Sequence, residues 1–134
     1  MKNLTRIFYL LLTTIVLAGN QTVFTDLSLN EAQILSKKDG KPLLIKFHAD
    51  WCHNCTKMDR TTFKDSKVVL ELENYISVKI DVDTALGQKT AKAFGISAIP
   101  VIVILNDEGD EILRKVGYQT PKVLASKLSQ LSME

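Results

Sequence analysis

With 134 residues, 46% of them hydrophobic and 24% charged, the chain has the length of one domain and enough apolar residues for a core that needs no disulfide scaffold. Setting Lys2 and Arg6 aside lowers the 17 basic residues to 15, equal to the 15 acidic ones. A near-neutral domain of this kind argues against nucleic acid or an acidic membrane surface as partner.

The first 18 residues do not read as part of that domain. Residues 1–6 carry Lys2 and Arg6 and no acid, and residues 7–18 are apolar except for Thr13 and Thr14. Such a run is shorter than the ~20 residues that span a bilayer. A short apolar run behind a basic start reads as a secretory signal, with cleavage expected after Ala18; the alternative is an uncleaved anchor. Asn20, not cysteine, follows Leu17-Ala18-Gly19, so no lipid anchor is expected. The mature protein is expected in the periplasm or otherwise outside the cytoplasm.

Residues 19–27 read as a polar lead-in, and residues 28–134 as the domain. Ser28 followed by Glu31 fits a capping box and predicts a helix to about residue 38, with Leu29, Ala32 and either Leu35 or Ile34 inward and Asp39-Gly40 ending it. Residues 42–48 read as a strand, 52–63 as a helix and 66–73 as a further turn or two. Ile76, Val78, Ile80 and Val82 alternate on one face of a strand. Residues 84–94 are helical, with Gly95 as cap. Residues 101–105 form an apolar strand behind Pro100, residues 106–109 a hairpin turn and residues 111–116 the returning strand. Gly117 breaks that strand, and Thr120-Pro121 opens the last helix. This order predicts an α/β fold with parallel crossovers first and an antiparallel hairpin last. The expected result is a mixed sheet of four to five strands with helices on both faces.

Both cysteines lie in one Cys-x-x-Cys, Cys52 and Cys55. In an oxidising compartment, cysteines usually pair distant segments. Two cysteines three apart close almost no loop and add little stability, so this pair is better placed to react. The strand of residues 42–48 runs directly into Cys52, which puts it at a helix N-terminus. Free backbone N–H groups there favour the nucleophilic thiolate. Cys52 is therefore the expected nucleophile, and Cys55, one turn further in, the resolving thiol. Zinc needs about four ligands, and only His48, His53 and carboxylates remain, so no metal is expected.

The segment Phe47-His48-Ala49-Asp50-Trp51-Cys52-His53-Asn54-Cys55, with Ser97-Ala98-Ile99-Pro100, resembles the thioredoxin superfamily. The run from Cys55-Thr56-Lys57-Met58-Asp59 to Thr62-Phe63 is most similar to the C-terminal periplasmic domain of DsbD and related exported thioredoxin-like proteins. The resemblance covers about residues 27–131 and implies a thioredoxin-like fold. It also implies a cis Pro100 facing the cysteines, where an ordinary reading is a trans proline opening a strand. The backbone of Ile99 would pair with an extended substrate peptide.

Four further residues join the candidate site. Asp59 lies one helical turn beyond Cys55, where the DsbD-like pattern has a carboxylate. It is a candidate proton relay, or else a solvated helix acid. Lys46 stands where the resembled proteins have a buried aspartate. It is a candidate partner of Asp59 and stabiliser of the thiolate, or else a lysine that snorkels outward. His53 would favour a Cys52 thiolate if protonated, or else is an exposed loop side chain. Trp51 is expected to shield the site and contact substrate, with a core position as the alternative.

The function implied is an exported thiol–disulfide oxidoreductase that reduces protein disulfides. A membrane thiol carrier of the DsbD or CcdA type would feed it electrons, apocytochrome c is a family-typical client, and cytochrome c biogenesis is the corresponding process. The cysteine pair itself carries the electrons, so no bound cofactor is expected, and a monomer suffices. Two other readings are a thiol oxidant like DsbA, which the chain leaves no room for in the form of a helical insertion, and a noncatalytic thioredoxin-like binding module. Retention of both cysteines and Pro100 argues against the module.

Overall fold

Ser28 starts the first helix in the way its sequence predicts. In the computed structural model, which describes residues 22–133, its hydroxyl accepts the Glu31 N–H while the Glu31 carboxylate accepts the Ser28 N–H at 2.9 Å. This capping box starts α1 (Leu29–Asp39), and Gly40, at φ 63°, ends it in the left-handed conformation that favours glycine. Ala32 and Ser36 face inward with Leu35 partly buried, while Ile34 is exposed. The proposed signal and the start of the lead-in lie outside the described residues.

The remaining elements are β1 (Leu43–His48), α2 (His53–Arg60), a 3-10 turn (Thr62–Lys64), α3 (Ser66–Leu72), β2 (Ile76–Asp81), α4 (Ala85–Ala93), β3 (Val101–Leu105), β4 (Glu111–Val116) and α5 (Pro121–Ser132). The helix expected over residues 52–63 is thus shorter. Thr61 returns its hydroxyl to the Lys57 carbonyl at 2.8 Å, and the Thr62 hydroxyl is taken by the Gln119 carbonyl at 2.7 Å. Threonines that bond backbone in this way compete with helix propagation.

Four strands form one sheet in the order β2-β1-β3-β4. Only β1 and β2 are parallel, and β3 runs antiparallel to both β1 and β4. The expected plural of parallel crossovers therefore reduces to one, because the chain after α4 enters β3 antiparallel to β1. The central strands β1 and β3 are buried almost throughout: β3 is a continuous apolar run, while β1 carries Lys46 within its buried stretch. One sheet face carries Leu43, Ile45 and Phe47 against Ala32 of α1 and Ala91 of α4. The other carries Leu44, Ile102 and Ile104 against Met58, Val68, Leu72, Leu124 and Leu128 from α2, α3 and α5. Residue 46 falls on this second face, beneath α2, and that placement sets the chemistry of the site.

Candidate active site

β1 delivers the chain to Ala49, whose carbonyl accepts the Cys52 N–H at 3.1 Å. Cys52 keeps an extended backbone and is the N-cap of α2, so its Sγ accepts the Cys55 N–H at 3.2 Å. That N–H is one of the donors a helix leaves unsatisfied at its start, and it stabilises negative charge on the sulfur it faces. Cys52 and Cys55 are joined as a disulfide. Cys52 is 6% exposed and Cys55 1%, so Cys52 is the sulfur a partner can reach.

Val82 and Ile99 pack against Ala49, Cys52 and Cys55. The Ile99–Pro100 peptide is cis, in agreement with the resemblance. The Pro100 carbonyl accepts the Gly117 N–H at 2.7 Å, which fixes this loop to the end of β4.

Lys46 does not snorkel outward: its side chain is 0% exposed. Its Nζ donates to the Cys55 carbonyl at 3.2 Å and to Asp59 Oδ1 at 2.6 Å, and lies 5.4 Å from the centre of the Phe63 ring. Asp59 is therefore no free helix acid. Its second oxygen, Oδ2, accepts from Lys79 Nζ at 2.8 Å. Burial lowers the Lys46 pKa from its ordinary value, although Asp59 opposes this. For Asp59, burial pulls upward, but the hydrogen bonds from Lys46 and then Lys79 outweigh it and hold the carboxyl below its usual range. The pair is a salt bridge between the buried Lys46 Nζ and the Asp59 carboxylate.

Trp51 is not a core residue. It is 70% exposed, and its Nε1–H donates to Asp83 Oδ2 at 2.9 Å. His53, the first residue of α2, is exposed as well. The cysteines, Lys46, Asp59, Ile99 and Pro100 thus converge, while Trp51 and His53 stand on the outer surface beside Cys52.

Lys79 and Asp83 escaped the sequence reading. A signal for Lys79 existed: it is the fourth residue of β2 as Lys46 is of β1, and the parallel register pairs the two. Asp83 carried no comparable signal, because the turn after β2 that brings it to Trp51 depends on the tertiary position of α4. Among the described residues, no three His, Cys, Asp or Glu side chains gather as a metal site, and no helix is long and apolar enough to cross a membrane.

The sequence matches the thioredoxin-like domain family over residues 29–132. The chain belongs to that family. With its Cys52–Cys55 disulfide it falls among the thioredoxin-like disulfide oxidoreductases. It is 32% identical over 90 residues to the thiol:disulfide interchange protein DsbD of Campylobacter jejuni, a match covering 66% of this chain and 16% of the relative. The chain thus spans about a sixth of that relative's length. Among solved structures, a thioredoxin from Thermus thermophilus superposes with a TM-score of 0.70 at 25% identity, covering 77% of this chain and 82% of that one. The reduced DsbD C-terminal domain of Neisseria meningitidis superposes with a TM-score of 0.64 at 20% identity, covering 76% and 92%, which shows the shared fold.

Proposed function

We propose that this protein is an exported reductase of protein disulfides, recharged by a membrane thiol carrier of the DsbD or CcdA type. One observation carries the reading: Cys52 caps α2 at the end of β1, with Cys55 one turn further in and the two already joined as a disulfide. The similarity to DsbD supports the choice of carrier and of a periplasmic or other extracytoplasmic site, with apocytochrome c among the clients.

In the cycle, the Cys52 thiolate attacks one sulfur of a client disulfide. A mixed disulfide forms, and the other client sulfur leaves as a thiolate that takes a proton from water. Cys55 loses its proton and attacks Cys52 Sγ. The Cys52–Cys55 bond forms, the client's second thiolate leaves and is protonated, and two electrons have passed to the client. The carrier's dithiol then reduces Cys52–Cys55 again. Ile99 offers backbone to an extended client segment beside Pro100, and Trp51 and His53 form the outer contact surface. Lys46 places a cation under the pair and favours the thiolate state.

Reduction of insulin with a dithiol as electron source tests this reading. Turnover by the native protein and none by Cys52→Ala is expected. No turnover by the native protein, with Cys52→Ala still binding a partner, would favour a noncatalytic module.

A further inference from the structure

The carboxylate one helical turn beyond Cys55 sits in a specific electrostatic frame. Asp59 uses both oxygens on ammonium groups, Oδ1 on Lys46 at 2.6 Å and Oδ2 on Lys79 at 2.8 Å. Lys46 in turn spans from Asp59 to the Cys55 carbonyl. Both oxygens of Asp59 are thus already engaged by cations while the Cys52–Cys55 pair is oxidised. A carboxylate acts as a general base when its environment raises its proton affinity and leaves a lone pair free toward the proton it takes. Two charge-assisted hydrogen bonds lower that proton affinity and turn each oxygen toward an ammonium group.

We propose that Asp59 is the fixed counter-ion of a buried cation and not the proton acceptor of Cys55, and that Lys79 is the positioning residue that fixes it. Two ammonium groups on one carboxylate leave a net positive charge beneath Cys55. That charge favours the Cys55 thiolate directly. The Cys55 proton then leaves to water before attack, and the client thiolate expelled by the attack is protonated from water. Atoms and charge balance without a protein base.

The surroundings support this arrangement. Charged and titratable groups around Asp59 are Lys46 and His48 of β1, Lys79 and Asp81 of β2, and Asp26 and Lys64 at the rim of a cleft of about 280 Å³ beside it. Asp26 and Lys64 are exposed, opposite in sign and screened by water. Asp81 spends Oδ1 on the Asp83 N–H at 2.9 Å. Lys79 and Lys46 remain the close cations. Lys79 also lies 5.5 Å from the Phe24 ring centre, and Phe24 stacks edge-on against Phe63 at 4.8 Å, so aromatic walls hold both lysines over Asp59.

The inference rests on the proposed thiol chemistry, so the test must separate the two. Reduced protein is mixed with an aryl disulfide that releases a coloured thiolate. A first release reports attack by Cys52, and a second reports attack by Cys55. Absence of any release from the native protein would defeat the functional reading itself. Given both phases, Lys79→Met decides the role of Asp59. Loss of a cation should move the pH profile of the second phase upward and slow it roughly three- to tenfold at pH 7, a shift of about one unit being tenfold. Lys79→Arg should restore the native profile. If Asp59 were the base, freeing it from an ammonium would strengthen it, and the second phase would speed up. An unchanged or faster second phase in Lys79→Met overturns the proposal.

Discussion

The indole N–H of Trp51 donates to Asp83 Oδ2 at 2.9 Å, across 32 residues of sequence. It ties the residue that precedes Cys52 to the turn between β2 and α4. An exposed aromatic side chain is thereby held in one orientation beside the reactive sulfur. Trp51 is the only tryptophan, so indole fluorescence reports its surroundings at a fixed redox state. In Asp83→Ala the emission should change, and KM for a protein disulfide should rise severalfold. Stability should fall by less than about 1 kcal/mol, since the lost hydrogen bond is exposed. Unchanged emission and KM would show that the bond does not orient Trp51.

Lys46 is the second point of test. Methionine matches its length and needs no counter-ion, while Lys79 still neutralises Asp59. Replacing a buried charge in this way is often neutral or stabilising, whereas removing the carboxylate strands an ammonium and costs about 3–5 kcal/mol. Lys46→Met should therefore keep its denaturation midpoint while Asp59→Ala loses much of it. The cysteine thiol pKa should rise in Lys46→Met, as read from thiolate absorbance. An unchanged thiol pKa would remove Lys46 from the chemistry.

The turn that carries Asp83 depends on a close approach at Gly87. A Cβ there would lie 1.7 Å from the Asp81 carbonyl oxygen, which is backbone and has no rotamer to change. The Gly87 N–H meanwhile donates to the Thr84 hydroxyl oxygen, the cap of α4, at 2.9 Å. Gly87→Ala should cost about 3 kcal/mol or more by overpacking, seen as a lower urea midpoint. A loss below about 1 kcal/mol would mean that the α4 start can move away from β2.

Acid should weaken the oxidised protein in two steps. Burial, then Lys79 and Lys46, lower the His48 pKa from its ordinary 6.5. A histidine that charges less readily when folded lets the unfolded chain bind more protons, so stability falls as pH drops below 6.5 toward the folded value. The Asp59 pKa is lowered from 3.8, so its contribution is present above 3.8 and is lost as pH falls through the folded value. His48→Gln should remove the first step and keep the second in a series of denaturation curves against pH. Persistence of the first step in His48→Gln would assign it to another group.

Much of this was legible in the sequence, for identifiable reasons. Ser28 and Glu31, Thr84, and Thr120-Pro121 mark helix starts by local hydrogen bonding, and each is observed as a cap. The Cys-x-x-Cys between a strand and a helix placed the disulfide, since a strand end and a helix start are local facts. The charge cluster was only half legible. Asp59 could be placed one turn from Cys55, but the second lysine comes from a strand 33 residues beyond Lys46, paired through the sheet register. Trp51 resisted for a different reason: whether an aromatic side chain is covered depends on what packs over it, and its partner Asp83 lies 32 residues away. The early end of α2 was hidden because Thr61 and Thr62 bond backbone partners that a helical pattern does not reveal.

Equilibration of the Cys52–Cys55 pair with glutathione redox buffers tests most directly whether electrons flow outward to client disulfides. A reduction potential in the range of thioredoxin, about −270 mV, or shifted modestly upward by the buried cation, is expected of the reductase. A value near that of the strong oxidant DsbA, about −120 mV, would contradict it and reverse the direction of electron flow.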